Sequence, residues 1–347
     1  MYDITEAKIM KNWKNSIQVP LVSICIITYN HEVFIAETLE SFLTQETTFP
    51  FEIIIDEDFS TDKTADIIRE YAKKYPKIIK ANLRQKNVGP MINFIKNVQR
   101  ATGKYIAVCE GDDYWINKHK LQIQIDILNK YRNIDMCFHK AIKTTNLKQK
   151  DMIIGGYLDT NGIVSIEDIL LKTKGQIPSA SLVCRKNVLD NFVIYHTLKP
   201  GYNVGDIFIH FFGAKRGGSY FINQTMSVYR YSSEGSWSAL EKKRDYTQKI
   251  INTASRIKAY ETLDTFENHH FTKAFNAANK KSALVIIKDS NIPWYDRISF
   301  IWKQRKYFML NEKIVYIGLA LIPIDSYISK DTYEYLKKLF KMPSSKS

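Results

Sequence analysis

Three carboxylates, Glu110, Asp112 and Asp113, stand in the run Glu110-Gly111-Asp112-Asp113-Tyr114-Trp115, directly behind the apolar stretch Tyr105-Ile106-Ala107-Val108-Cys109. Acidic oxygens therefore gather where a buried strand meets open space. A hard divalent cation takes oxygen ligands, and Mg²⁺ or Mn²⁺ held by one or two carboxylates fills its remaining positions with water and phosphate oxygens. The chemistry on offer is the metal-assisted handling of a diphosphate. Taken alone, the same run also reads as a solvated acidic turn.

The elements that must position these acids have a common pattern. Pro20 to Ile27 is a continuous β-branched run, the signature of a strand buried on both faces, and it passes at once into Thr28-Tyr29-Asn30-His31. A second such run, Phe51 to Ile55, enters Asp56-Glu57-Asp58-Phe59-Ser60-Thr61-Asp62-Lys63-Thr64. Helical spacing over Val33 to Gln45 and over Thr61 to Lys74 makes the order strand, helix, strand, helix. That alternation predicts a parallel sheet. Open α/β sheets bind ligands beyond the carboxyl ends of their strands, and all three polar runs fall there.

In this order and spacing, Val22-Ser23-Ile24-Cys25-Ile26-Ile27-Thr28-Tyr29-Asn30, Asp56-Glu57-Asp58-Phe59-Ser60-Thr61-Asp62, Asn87-Val88-Gly89 and Glu110-Gly111-Asp112-Asp113-Tyr114-Trp115 resemble the inverting family 2 nucleotide-sugar glycosyltransferases of the bacterial surface-polysaccharide type. Val204-Gly205-Asp206 fits as well. The resemblance implies an α/β GT-A fold, a Rossmann-like, mostly parallel sheet flanked by helices, with a helical C-terminal appendage. It also implies a divalent metal cofactor, Mn²⁺ or Mg²⁺. Carried over by position, it makes Thr28, Tyr29, Asn30, Asp58, Asn87 and Asp112 nucleotide contacts. Tyr29 would stack near the base, Asp58 would accept from the uracil ring, and Asp112 would meet ribose or the metal's water. Asp113 becomes the metal ligand and Asp206 the general base. Glu110, Ser181 and Trp237 are candidate substrate contacts.

Each assignment has a plainer counterpart. Asp58 or Ser60 would also cap the next helix, and Asp206 would cap the helix that starts at Ile207. Tyr114 and Trp115 suit packing under the turn, Ser179 and Ser181 suit a turn of their own, and Trp237 suits either a flap or a packing anchor. The chain also departs from the family pattern. Phe59 stands where a small residue follows the paired acids. Met91, Ile92 and Asn93 follow Pro90 where an Arg is usual, leaving Arg84 or Lys86 as substitutes. Tyr231-Ser232-Ser233 follows Arg230 where many relatives have His.

The 347 residues suffice for one large domain and an appendage. The expected organisation is a lead-in over 1–19, a catalytic domain over 20–238, a helical region over 239–342 and a tail over 343–347. Within the catalytic domain, 20–120 is the nucleotide-sugar half and 121–238 the acceptor half. Cys25, Cys109, Cys137 and Cys184 lie in apolar runs without metal spacing and read as buried thiols in a reducing cytosol. The start of the chain is polar and no apolar run approaches the ~20 residues that span a bilayer, so a cytoplasmic location is expected. The formal net charge is +14, but no nucleic-acid motif accompanies it. Basic and aromatic residues interleave from Lys280 to Lys306, as in a helix lying on an anionic membrane. The run Ile314 to Ile322 suits packing, a homo-oligomer contact or membrane contact.

The expected function is metal-dependent, inverting transfer of a sugar from a nucleotide diphosphate, with UDP as the nucleotide, to a hydroxyl of a glycan or lipid-linked acceptor. Two rivals stay open. A glycan-binding scaffold on a decayed transferase fold would have lost the metal ligand or base, yet Asp113 and Asp206 are present. A nucleotidyltransferase would carry a glycine-rich basic loop after its first strand, where this chain has Thr28-Tyr29-Asn30-His31.

Overall fold

Strand β1 (Val22–Thr28) is buried on both faces, which is why its sequence is a continuous apolar run and not an alternating one. It pairs in parallel with β2 (Phe51–Glu57) on one side and β4 (Tyr105–Glu110) on the other, and β3 (Ile79–Leu83) extends the sheet beyond β2. The crossovers are helices α2 (Ile35–Leu43), α3 (Thr64–Lys74) and α4 (Pro90–Arg100), after a short α1 (Glu6–Met10) in the lead-in. Strand order runs outward from β1 to β3 and then returns to the far side of β1 for β4. The two halves diverge between β1 and β4, the place where an open α/β sheet has its crevice.

Beyond β4 the sheet becomes mixed. Its order is β3-β2-β1-β4-β9-β6-β10-β5, with β7 (Met152–Ile154) on β6 and β8 (Gly162–Val164) on β10. The strand β9 (Val183–Arg185) is antiparallel to both β4 and β6 (Met136–Thr144), and β10 (Ser219–Arg230) is parallel to β6. The two-residue β5 (Tyr114–Trp115) lies antiparallel to β10. The expected α/β architecture is present, with strict parallel pairing among its first four strands. Helices α5 (Lys120–Lys130), α6 (Ile166–Leu171), α7 (Lys186–Leu198) and α8 (Gly205–Ala214) complete this part. Ser165 caps α6 as its spacing predicts, with Oγ accepting from the Asp168 N–H at 3.1 Å.

The computed structural model describes residues 4–13, 19–144, 152–198, 205–231, 245–309, 312–313 and 316. It divides into two compact units, Met1–Lys243 and Arg244–Ser347. The core of the first joins Ile24, Ile26, Phe42, Ile53, Tyr105 and Trp115, among others. All four cysteines are buried free thiols, and burial pushes each thiol's pKa up.

Asp56 is a polar centre within that core. Its Oδ1 accepts from Asn82 at 2.5 Å and Arg84 at 2.9 Å, and its Oδ2 accepts from Asn97 at 2.9 Å and Arg100 at 2.7 Å. Arg84 also donates to Asn93 at 2.5 Å. The expectation that Arg84 stands in for a phosphate-binding cation is therefore corrected: its guanidinium neutralises a buried carboxylate, where removing a partner would leave an unpaired charge.

The second unit consists of α9 (Tyr246–Phe266), α10 (Thr272–Ile287) and α11 (Trp294–Lys303), packed around Ile257, Ala283, Ile286, Phe300 and Ile301. The helical region expected over 239–342 carries helical spacing from Asp245 to Ala277 with neither glycine nor proline to break it. Instead the chain breaks at Asn268 (φ +52°) and His269 (φ +62°), two left-handed residues that need neither glycine nor proline. Likewise the basic stretch 280–306 is not one helix, because α10 ends before the turn at Pro293. Of the run 314–322, only Tyr316 is among the described residues, and it packs on Phe308 with ring centroids 5.4 Å apart. No helix of the described residues is long and apolar enough to cross a membrane.

Candidate active site

Register brings the polar runs level. Thr28 pairs with Glu57, and Ile27 pairs with Glu110, so the loops that follow β1, β2 and β4 emerge side by side. They are knitted together by hydrogen bonds. Asn30 N–H donates to Ser60 Oγ at 2.9 Å, and Asn30 Oδ1 accepts from the Thr61 N–H at 2.9 Å. The His31 N–H donates to Thr64 Oγ1 at 2.8 Å, the Glu32 N–H to Asp62 Oδ2 at 3.0 Å, and Thr28 Oγ1 bonds to His31 Nδ1 at 3.1 Å. Of the residues expected at the nucleotide, Thr28 and Asn30 thus hold the loops in place, while Tyr29 turns outward, 38% exposed. Phe59 also turns outward, at φ +64°.

Asp58 is buried and uses both carboxylate oxygens within the protein. Oδ1 accepts from the Val88 N–H at 2.8 Å and Oδ2 from the Gly89 N–H at 2.9 Å, while Asn87 Nδ2 donates to the Asp58 carbonyl at 3.0 Å. Asp58 therefore fastens the loop that opens α4, whereas the capping alternative had pointed to the next helix, α3.

The acid turn is built around Gly111. A Cβ there would lie 2.5 Å from Thr28 Oγ1 and 2.8 Å from His31 Nδ1. Gly111→Ala is accordingly expected to push the turn off the end of β1 and to lower Tm, which thermal unfolding of the variant beside wild type checks.

The sequence reading missed Arg230, at the end of β10. Its backbone N–H donates to Asp113 Oδ1 at 2.9 Å, and its guanidinium bonds to the Asp112 carbonyl and to Glu37. The guanidinium lies 4.4 Å from the Tyr114 ring centroid and 5.0 Å from that of Phe34. One residue thus fixes both acids from a strand 117 positions away. Trp115 packs on Phe42, with centroids 4.4 Å apart, and its Nε1–H donates to the Ala180 carbonyl at 3.0 Å.

Burial and neighbouring carboxylates make Glu110 and Asp113 hard to ionise. The Glu110 carboxyl is raised to about 7 by burial, by Asp112 and by Asp206, against a hydrogen bond from Ser179. Asp113 is raised well above the usual carboxylate range by burial, Asp112 and Glu110, with Arg230 opposing. Asp113 Oδ2 has no hydrogen-bond partner among the described residues.

Asp206 sits in the first turn of α8, which begins at Gly205 and not after the acid. Its Oδ2 lies 3.2 Å from Lys172 Nζ. Its charge reaches Glu110 and also His210, whose imidazole burial pulls down to about 4. The structure therefore brings Glu110, Asp112, Asp113 and Asp206 to one neighbourhood. Ser181 is corrected: it is buried and its hydroxyl donates to the Pro178 carbonyl at 2.6 Å, as residues in the tight turn 179–181 do, while Ser179 reaches Glu110. Trp237 and Val204 lie outside the described residues.

A divalent cation suits this donor set in part. Among the described residues, no three His, Cys, Asp or Glu side chains form a cage of their own. An orphaned carboxylate oxygen beside two further acids nevertheless fits an ion that takes one or two protein ligands and completes its shell with diphosphate and water.

The profile of the family described as glycosyl transferase family 2 matches residues 23–188. Over 262 residues the chain is 34% identical to uncharacterized protein Mb1547 of Mycobacterium bovis, covering 73% of this chain and 71% of that protein. It is 37% identical over 119 residues to the putative teichuronic acid biosynthesis glycosyltransferase TuaG of Bacillus subtilis, covering 34% of this chain and 44% of that protein. Among solved structures, S. aureus TarS 1–349 in complex with UDP-GlcNAc superposes with a TM-score of 0.54 at 18% identity, covering 92% of this chain and 91% of that one. That last likeness is one of fold. With the four sequence segments on adjoining strand ends, these matches place the chain in glycosyl transferase family 2, and it is a glycosyltransferase.

Proposed function

We propose that the protein transfers a hexose, with inversion, from a UDP-sugar to a hydroxyl of a glycan or lipid-linked acceptor in bacterial surface-polysaccharide synthesis. The observation that carries this reading is the gathering of Glu110, Asp112 and Asp113 at the end of β4, with Asp206 near enough to Glu110 to help raise its carboxyl. TuaG, by its name, acts in teichuronic acid synthesis, and TarS was solved with UDP and with UDP-GlcNAc; both support the donor and product class. Tyr29 offers a face to the base, and Asp58 keeps lone pairs beyond its two backbone bonds for a ring N–H. Asp113, with Asp112 beside it, would hold the divalent cation. When bound, that ion supplies positive charge to the leaving diphosphate. Arg230 holds both acids in place, and Asp206 takes the acceptor's proton.

The test is a panel of UDP-, dTDP- and GDP-sugars with Mn²⁺, with Mg²⁺ and with chelator. Metal-dependent release of UDP from one sugar is the expected result. Folded protein that binds UDP with metal but turns over no donor on any acceptor would favour the scaffold reading.

The same reading puts the enzyme in the cytoplasm, peripherally on an anionic membrane surface. Within the second unit, Trp294, Tyr295 and Trp302 of α11 are each more than half exposed, and the exposed Lys303, Arg305 and Lys306 follow them. Aromatic residues beside a basic cluster suit the headgroup region of anionic lipids. Sedimentation with phosphatidylglycerol vesicles but not with phosphatidylcholine vesicles is expected, and loss of that difference in Trp294→Ser/Trp302→Ser should accompany it. Equal sedimentation of wild type and variant would remove the membrane from the reading.

A further inference from the structure

Phe59 combines three features that a structural role does not account for. Its backbone lies at φ +64°, a conformation that L residues with large side chains rarely adopt. Its side chain is not hidden to compensate, being 51% exposed. And it stands at the carboxyl end of β2, one residue after the anchored Asp58 and one before Ser60, whose Oγ accepts from the Asn30 N–H. Strain kept at an exposed aromatic residue points to use of the ring and not to packing.

The neighbouring strand end repeats the arrangement. Tyr29 follows β1 directly and is 38% exposed, and the Asp58 N–H donates to the Thr28 carbonyl at 3.0 Å, so Tyr29 and Phe59 leave adjacent strands at the same edge. Both backbones are pinned. Asn30, the residue after Tyr29, is itself left-handed at φ +54° and bonded to Ser60 and Thr61. Two exposed aromatic residues on loops pinned at one sheet edge, with the Asp58 carboxylate next to Phe59 in the chain, offer ring faces and an acceptor to a flat, weakly polar ring bearing an N–H.

We infer that Phe59 is a second nucleobase contact, which with Tyr29 brackets the pyrimidine of the donor. This rests on the nucleotide-sugar reading above. The left-handed turn at Phe59 aims the ring outward, and the anchoring of Asp58 by Val88 and Gly89 keeps that turn from relaxing. The ring thus adds affinity for the donor's base and takes no part in bond making.

The experiment measures binding of UDP and of inorganic pyrophosphate, each with Mn²⁺, to wild type, Phe59→Gly and Phe59→Tyr, with Tm recorded for all three. Phe59→Gly, which suits φ +64° better, should keep or raise Tm yet weaken UDP roughly five- to hundredfold, the range of one base–aromatic stack. Pyrophosphate, which has no base, should bind it as it binds wild type, and Phe59→Tyr should restore UDP affinity. Equal UDP affinity in wild type and Phe59→Gly would overturn the assignment of Phe59 alone. Equal losses of UDP and pyrophosphate would also overturn it, since they would mark a disturbed loop. Absence of UDP binding by folded wild type would overturn the donor reading and this inference with it.

Discussion

Asp206→Asn is expected to lower sugar transfer by roughly 10²–10⁴, the contribution typical of a general base, while UDP affinity stays within about twofold. The amide keeps the shape of the side chain and one acceptor oxygen but cannot take up the hydroxyl proton. The position explains why this carboxylate suits the task. In the first turn of α8 it lies at the positive end of the helix dipole, and Lys172 Nζ stands 3.2 Å from its Oδ2. Asp206 lies close enough to Glu110 to help raise that carboxyl, so the proposed base and the proposed metal-side acids are neighbours without sharing a loop. Single-turnover transfer at saturating donor, with calorimetry of UDP in parallel, separates chemistry from binding. Full turnover by the variant would sink the assignment. It would move the base to Glu110, whose carboxyl, raised to about 7 and bonded to Ser179, is the other acid on that side of the crevice.

Much of this arrangement is legible in the sequence because strands buried on both faces cannot disguise themselves. The runs at β1, β2 and β4 are apolar without alternation, and each ends in polar residues that parallel pairing must bring level. What escaped reading depended on partners remote in sequence. Arg230 touches Asp112 and Asp113 across the sheet, and no local spacing announces it. Arg84 looked available as a cation until the pairing of β3 with β2, which sets Asn82 opposite Asp56, brought its guanidinium onto the Asp56 carboxylate. Ser179 and Ser181 are indistinguishable by type, and only the tight turn decides which one faces Glu110. The break after α9 was invisible because Asn268 and His269 adopt left-handed backbone without the glycine that usually marks it.

Lys120→Met should stabilise the protein, by about 3 kcal/mol at pH 6, and should remove a rise of stability with pH that the wild type shows. Lys120 opens α5, where periodicity alone would make a lysine a solvated residue, yet it is fully buried. Its Nζ has no hydrogen-bond partner among the described residues and stands 3.9 Å from the centroid of the Trp115 ring. Burial pulls its pKa down to about 7, against the milder opposing effect of Cys109 and Cys137. In the unfolded chain the same amine titrates near 10.4. Between about pH 7 and pH 10 the unfolded state therefore binds more protons, and stability increases with pH across that window. Below pH 7 the full cost of burying the charge is present, about 5 kcal/mol for a shift of this size. Methionine fills a similar volume without a charge and forgoes only the attraction to Trp115, worth roughly 0.5–2 kcal/mol. His139, held neutral by burial and by the charge of Lys120, should gain basicity in the variant, but its own burial still disfavours protonation. Urea unfolding of both proteins at pH 6 and pH 9.5 isolates the effect, because every other titrating group is common to the pair. A variant less stable than wild type at pH 6, or a difference that does not shrink by pH 9.5, would show that the amine is held charged by something stronger than an aromatic face.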